Sequence, residues 1–148
     1  MKKLTHVDAR GKAKMVDVSA KPVQLREAIA RGLIHLKPAT IRLIKANAIA
    51  KGDVLNTARL AGIQAAKRTS ELIPLCHPMS LTHVDVDLKF GHSKIEITGT
   101  AKVAAQTGVE MEALTAVAVA ALTIYDMCKA VDKEMVIGEI ELVSKTKK

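Results

Sequence analysis

The chain has 148 residues, a length typical of one domain that can bury a core without disulfides or metal ions. Apolar residues make up 49% of it but aromatic residues only 1%, so the core must be built from Ala, Val, Ile, Leu and Met. Because such side chains bury little area each, we expect further burial between subunits. The net charge of +8 favours a polyanionic partner, and the shortage of aromatic rings disfavours a reader of single-stranded nucleic acid. Duplex nucleic acid and a phosphorylated metabolite both stay open.

Two cysteines, Cys76 and Cys128, are too few for a structural four-cysteine zinc site or a disulfide framework. The most apolar run, residues 113–125, is shorter than the ~18 residues of a membrane span. Residues 1–12 have no apolar core for a secretory signal. We therefore expect a cytoplasmic protein, with no membrane partner, in a single domain over residues 1–148.

In chain order, residues 1–21 are polar and basic and predict a partly ordered N-terminal arm, with at most a brief strand at 15–18. Residues 23–36 fit either a helix or a strand, and their glycine and β-branched residues favour a strand. Pro38 suits a first helical turn and predicts a short helix over 39–47. Asp53 can cap a second helix, which we expect to end near residues 70–72.

The second half of the chain has clearer patterns of apolar and polar residues. Residues 84–90 alternate apolar and charged side chains and predict a half-buried strand, which turns at Gly91 into a return strand. A long helix is predicted from Glu110 to about Val131, apolar on nearly all sides and so buried on more than one. A strand over 135–143 follows, and residues 144–148 are expected to form a mobile basic tail. The order βαββαβ predicts an α+β, ferredoxin-like fold, an antiparallel sheet with helices packed on one face.

Acidic and basic residues on the long helix are candidates for chemistry. Asp126 and Lys129 are three residues apart and share one face, as a surface ion pair or as a general acid/base pair. Glu110 and Glu112 lie at the helix start. Their negative charges are either stabilised there by the positive end of the helix dipole, or one of them binds a polar substrate.

Helix length constrains how these residues combine. Glu112 and Asp126 are about 21 Å apart along one helix, and Lys51 and Lys67 are roughly 24 Å apart by the same rise. If all four serve one site, two subunits must contribute. We accordingly expect Lys51 and Asp126 to reach that site from different chains.

Two further features point to a polar ligand. Lys51 precedes a helix N-terminus, where backbone donors and an ammonium suit a phosphate. Cys76 and His77 lie on a turn between two prolines, and His77 is either a hydrogen-bonded structural residue or a substrate-binding or proton-transferring one. A metal site would need ligands that the sequence does not offer, so no metal site is predicted.

Six segments together resemble one family. They are MVDVSAK (15–21), KGDV (51–54), ARLAGIQAAKRT (58–69), LIPLCHP (72–78), TGVEMEALTAVAVAALTIYDMCKA (107–130) and MVIG (135–138). The chain is similar in them to the cyclic pyranopterin monophosphate synthase family of molybdenum cofactor biosynthesis. The resemblance covers nearly the whole chain, and these long motifs are specific.

The resemblance implies a lyase. Its substrate would be 3′,8-cyclo-7,8-dihydroguanosine 5′-triphosphate, a GTP-derived compound, and its products cyclic pyranopterin monophosphate and pyrophosphate. It implies a homo-oligomer, a hexamer built as a trimer of dimers, with sites between subunits. It implies no cofactor, with Mg²⁺ carried on the substrate phosphates at most, and no nucleic acid.

The resemblance also implies roles for particular residues. Asp126 would be the catalytic acid or base, with Lys129 as its partner. Lys51 and Lys67 would contact phosphates or assist proton transfer. The substrate would be bound by Leu75, Cys76, His77, Met111, Glu112 and Lys145, and Glu110 is added as a candidate from its place at the helix start. The alternative from the residues alone is a non-catalytic basic module that binds nucleic acid, which a gel shift with random duplex would reveal.

Overall fold

A computed structural model describes residues 4–148, and its core is one four-stranded antiparallel sheet with the strand order β2-β3-β1-β4. The predicted α+β, ferredoxin-like arrangement is confirmed. Residues 1–3 of the predicted arm lie outside the described residues. The elements are β1 (Gln24–His35), α1 (Pro38–Lys45), α2 (Val54–Lys67), α3 (Thr69–Leu72), β2 (His83–Phe90), β3 (Lys94–Ala105), α4 (Glu110–Cys128) and β4 (Val136–Lys147).

The central strand β1 settles the ambiguity of residues 23–36 in favour of a strand. Ala28, Ala30 and Ile34 alternate along it and are fully buried beneath α4, whereas Arg31 and His35 on the opposite face are exposed. This period of two is what a sheet covered by helices on one face requires. The strand pairs with β3 on one side and β4 on the other.

The long helix α4 lies between the sheet and α2, as its all-round apolar character predicts. Two glycines let neighbouring backbones approach it closely. A Cβ on Gly62 of α2 would lie 2.7 Å from the carbonyl oxygen of Ala116, and a Cβ on Gly99 of β3 would lie 2.9 Å from that of Ala113. The aromatic-poor core thus gains contact by bringing helix and strand backbones close together.

By length and composition alone α4 could also cross a membrane, but more than half of it is buried inside the fold. It has the burial of a core helix, and its apolar surface is explained by the sheet and α2.

The helix boundaries differ slightly from those predicted. Asp53 caps α2 as expected, with its Oδ1 accepting a hydrogen bond from the backbone N of Asn56 at 3.1 Å. The helix predicted to reach residues 70–72 is interrupted at Arg68, where α2 ends and the short α3 begins. Helix α4 ends at Cys128, about three residues before the predicted end at Val131.

The prediction of a mobile tail over residues 144–148 is wrong. Strand β4 continues to Lys147 and pairs with β1, with Lys145 opposite Ala28. Leu25 and Lys148 then exchange two backbone hydrogen bonds of 3.1 and 2.9 Å. An edge strand pairs through its backbone, so the charged side chains that suggested a tail do not prevent it.

Residues 4–21 run as an arm with little regular structure. Its one bridge joins Val7 to Ala13 around a turn held by the Asp8 carboxylate. The brief strand considered for residues 15–18 does not form.

Candidate active site

The Lys51, Asp126 and Lys129 side chains meet at the C-terminal end of α4, and we call them the ion cluster. Lys51 Nζ donates to Asp126 Oδ2 at 2.8 Å and to the Asp126 carbonyl oxygen at 3.2 Å. Lys129 Nζ lies 2.9 Å from Asp126 Oδ1. About half of each side chain is exposed, so the cluster is open to a ligand.

This contact overturns one expectation. The helix lengths predict that Lys51 and Asp126 reach a site from different chains, but they are hydrogen-bonded within one chain. The reason is the antiparallel packing of α2 against α4. It brings the loop before α2 next to the end of α4, which the length of each helix alone could not reveal.

The electrostatics of the ion cluster fix the charge of Asp126. Hydrogen bonds from Lys51 and then Lys129, together with their charges, lower the pKa of Asp126 to about 2. At neutral pH Asp126 is therefore an ionised carboxylate that accepts hydrogen bonds from two ammonium groups and holds them in place.

A cavity of about 380 Å³ lies at the opposite end of α4, and we call it the substrate cavity. The turn after α3, the start of α4 and the N-terminal arm form its walls. Its lining includes the predicted substrate-binding residues Leu75, Cys76, His77, Glu110, Met111 and Glu112. Six residues proposed from sequence thus share one concave surface.

Glu112 is the buried acid of the substrate cavity, with only 4% of its surface exposed. Burial raises its pKa to about 7, and the nearby charge of Glu110 adds to the rise. The pKa of the Cys76 thiol is raised by burial and by the charge of Glu112. Glu112 can therefore give or take a proton near neutral pH, as a general acid/base group must.

His77 is held by the arm. Its Nε2 donates to the carbonyl oxygen of Val16 at 2.6 Å. Both the ring and Val16 line the substrate cavity. The hydrogen-bonded structural role considered for His77 is thus confirmed, and its candidate role at a ligand site stays a prediction.

Lys145 and Lys67 differ in their relation to this cavity. Lys145 Nζ lies 3.2 Å from Glu110 Oε1 and lines an adjoining cavity of about 200 Å³, together with Arg26 and Gly108. Lys67 is the exposed last residue of α2 and lies outside the lining of the substrate cavity. Because α2 and α4 are antiparallel, Lys67 is at the same end of α4 as Glu112.

The ion cluster and the substrate cavity therefore occupy opposite ends of one subunit. Glu112 and Asp126 are separated by 14 positions of continuous α-helix, or about 21 Å. The sequence argument that one chain cannot bring both acids to a small ligand thus holds for this fold.

Two of the basic residues in or just before α2 are paired with acidic side chains, whereas Lys67 and Arg68 are exposed. Lys51 is paired with Asp126, and Arg59 NH2 lies 2.8 Å from Asp85 Oδ1. Among residues 4–148, no group of three or more His, Cys, Asp or Glu side chains is arranged to hold a metal ion.

The sequence analysis missed the contribution of the arm to the site. Thr5, His6, Val16, Val18 and Lys21 line the substrate cavity. A usable signal was present, because Val16 and Val18 are alternating apolar residues in an otherwise polar stretch, within one of the segments that carry the resemblance.

Asp132 was also missed. Its carboxylate is 1% exposed and accepts hydrogen bonds from the Lys37 backbone at 2.9 Å, the Thr40 hydroxyl at 2.8 Å and the Glu134 backbone at 3.0 Å. It joins the segment after α4 to the start of α1, and so fixes the end of α4 that carries the ion cluster.

Comparison with known proteins identifies a family whose match includes the ion cluster and most of the substrate cavity. The model of the MoaC family matches residues 15–148. The chain belongs to the MoaC family. Proteins named cyclic pyranopterin monophosphate synthase from three bacteria align with it over nearly their whole length. The one from Heliobacterium modesticaldum is 60% identical over 99% of this chain and 93% of its own, and that from Roseiflexus sp. is 59% identical over 99% and 94%. The one from Parvibaculum lavamentivorans is 58% identical over 98% and 92%.

Membership of the MoaC family confirms the resemblance drawn from the six sequence segments. The family match begins at Met15, so it includes the part of the arm that holds His77. The roles of individual residues stay predictions, which the geometry makes specific enough to test.

Proposed function

We propose that this MoaC-family chain is a cyclic pyranopterin monophosphate synthase. It would convert 3′,8-cyclo-7,8-dihydroguanosine 5′-triphosphate to cyclic pyranopterin monophosphate and pyrophosphate. The observation that carries the proposal is the substrate cavity, in which a proton-exchanging acid, a histidine and a half-buried turn converge. The names of the full-length relatives supply the identity of the reaction.

The chemistry of the site suits this reaction. Rearrangement of a purine-derived ring needs several proton transfers, and Glu112, with a pKa of about 7, lines the same cavity as His77. Departure of pyrophosphate needs positive charge near the leaving oxygens, which the ammonium groups of Lys51 and Lys129 can supply. Asp126 would hold both ammonium groups in place by accepting their hydrogen bonds.

The complete site would be shared between subunits. One chain keeps the ion cluster and the substrate cavity about 21 Å apart, so the ion cluster of one subunit would join the substrate cavity of another. Exposed apolar residues support such contacts, with Leu60, Leu122 and Val143 each more than half exposed. We propose a cytoplasmic hexamer, a trimer of dimers, as its assembly.

Turnover would need no cofactor bound by the protein, and any Mg²⁺ would arrive with the substrate phosphates. The first test incubates the purified protein with the cyclised GTP intermediate and measures pterin product and pyrophosphate. GTP itself is the control and should give neither. Absence of product from the cyclised intermediate, under conditions where the protein is folded, would refute the proposal.

Subunit mixing tests the shared site. Asp126→Asn removes the carboxylate of the ion cluster, and Glu112→Gln removes the acid of the substrate cavity. Each variant alone should be inactive. After subunit exchange, verified by mass spectrometry, the mixture should recover part of the activity because some sites then combine two intact halves.

The matched control mixes Lys51→Ala with Asp126→Asn. Both changes fall in one ion cluster, so every site in that mixture keeps a damaged cluster and should stay inactive. Recovery in the control mixture, or none in the Asp126→Asn and Glu112→Gln mixture, would contradict the proposed division of the site.

A further inference from the structure

The N-terminal arm is attached to the substrate cavity and not to the hydrophobic core. None of residues 4–21 belongs to the buried core, whose first member along the chain is Ala28. Val16 and Val18 are nevertheless half-buried, and both line the substrate cavity. The arm thus contributes nothing to the core but forms part of the wall of the substrate cavity, where it can affect the residues that line it.

The hydrogen bond between the arm and His77 determines where the imidazole proton lies. A carbonyl oxygen carries no hydrogen, so across the 2.6 Å contact with Val16 the Nε2 atom must be the donor. A neutral imidazole carries one ring proton, so its Nδ1 is then an unprotonated acceptor. The opposite tautomer would set the Nε2 lone pair against the oxygen lone pairs at the same distance.

The second ring nitrogen is free to meet a ligand. Within residues 4–148, the hydrogen bond to Val16 is the one that the His77 ring makes. In the same part of the chain, no buried side-chain nitrogen or oxygen lacks a partner. Nδ1 is therefore reachable by solvent, and the space beside His77 is the substrate cavity.

We propose that the arm is a positioning element that holds His77 in the Nε2–H tautomer through the Val16 carbonyl, so that Nδ1 presents one hydrogen-bond acceptor to the substrate. The role in turnover rests on the proposed function, but the tautomer is a property of the free protein. With the arm detached, both tautomers would form, and part of the molecules would offer the substrate a donor where an acceptor is required.

The test detaches the arm without adding charge. The variant Val16→Gly/Val18→Gly removes the two half-buried side chains that attach it. Its matched control, Met15→Gly/Ala20→Gly, introduces the same two glycines at exposed arm positions. Both are made in the full-length chain, and thermal unfolding should be similar for both because neither touches the core.

Two measurements are compared. Long-range ¹H–¹⁵N spectra of protein labelled with ¹⁵N-histidine report the tautomer at a pH where the ring is neutral, and His77→Gln identifies the His77 signals among the 5 histidines. Wild type and control should show protonated Nε2 and unprotonated Nδ1, whereas the arm variant should show averaged shifts. Its kcat should fall about 2- to 5-fold, in proportion to the fraction of molecules that no longer hold the Nε2–H tautomer.

The outcomes separate this inference from the proposed function. A wild-type Nδ1–H tautomer, or an arm variant with an unchanged tautomer, overturns the inference even if wild type forms product. A changed tautomer with an unchanged kcat overturns the positioning role. If wild type forms no product, the proposed function fails, and the spectra alone decide whether the arm sets the tautomer.

Discussion

Glu112 should make the protein less stable as pH rises, and its replacement by glutamine should remove that effect. Its carboxyl is nearly inaccessible, and its pKa rises from 4.5 to about 7 in the folded chain. Between these values the folded chain keeps a proton that the unfolded chain has lost. The free energy of unfolding therefore falls as pH rises from 4.5 to about 7. Above about pH 7 the contribution of Glu112 no longer changes.

The size of the effect follows from the difference of pKa. A rise from 4.5 to about 7, at ~1.4 kcal/mol for each pKa unit, is worth about 3 kcal/mol. Glu112→Gln has nearly the shape of the protonated acid and cannot ionise. We expect it to match wild type near pH 4.5 and to exceed it by up to about 3 kcal/mol at pH 8, while losing turnover.

The assay is urea unfolding at several pH values and one fixed protein concentration, because subunit association would make stability depend on concentration. Glu71→Gln is the control, since it removes the same charge at an exposed position of α3. Parallel pH profiles for wild type, Glu112→Gln and Glu71→Gln would refute the reasoning, because they would show that burial does not hold the Glu112 proton.

Two other predictions concern the core and the ion cluster. Gly99→Ala should destabilise the fold by about 1–3 kcal/mol, because the new Cβ would lie 2.9 Å from the Ala113 carbonyl oxygen, whereas Gly138→Ala in β4 meets nothing within 4 Å and should change stability little. Equal losses in urea unfolding would contradict the close approach of α4 to β3. Asp126→Asn and Lys129→Ala should each abolish product formation while circular dichroism stays unchanged, because both side chains are half exposed. Normal rates would reduce Asp126 and Lys129 to a surface ion pair.

The sequence predicted best those elements in which the pattern of apolar side chains matches the buried surface. Alternation in β2 and the all-round apolar character of α4 each identified the element and its buried surface. The end of β4 failed because an edge strand is held by its backbone, and Lys145 and Lys147 carry no apolar signal of pairing. Pairing of that kind depends on the exposed edge of β1, which a local pattern does not contain.

The candidate site was predicted in its members but not in its grouping. Glu112, His77 and Cys76 were each singled out, and the structure places them on one cavity. The contact of Lys51 with Asp126 could not be read from helix lengths, because it depends on the direction in which α2 crosses α4. The hydrogen bond from His77 to Val16 spans 61 positions and involves a backbone oxygen, which no residue type signals.

The small residues of the core and the division of the site have one common cause. Gly62 lets α2 pack directly on the Ala116 backbone in the middle of α4. From that crossing the two helices run in opposite directions, so the loop before α2 meets Asp126 and the turn after α3 meets Glu112. A rigid helix that fixes both contacts also keeps them about 21 Å apart. If the proposed reaction uses both the ion cluster and the substrate cavity, this fold requires that they come from two chains, because one chain holds them at opposite ends of α4.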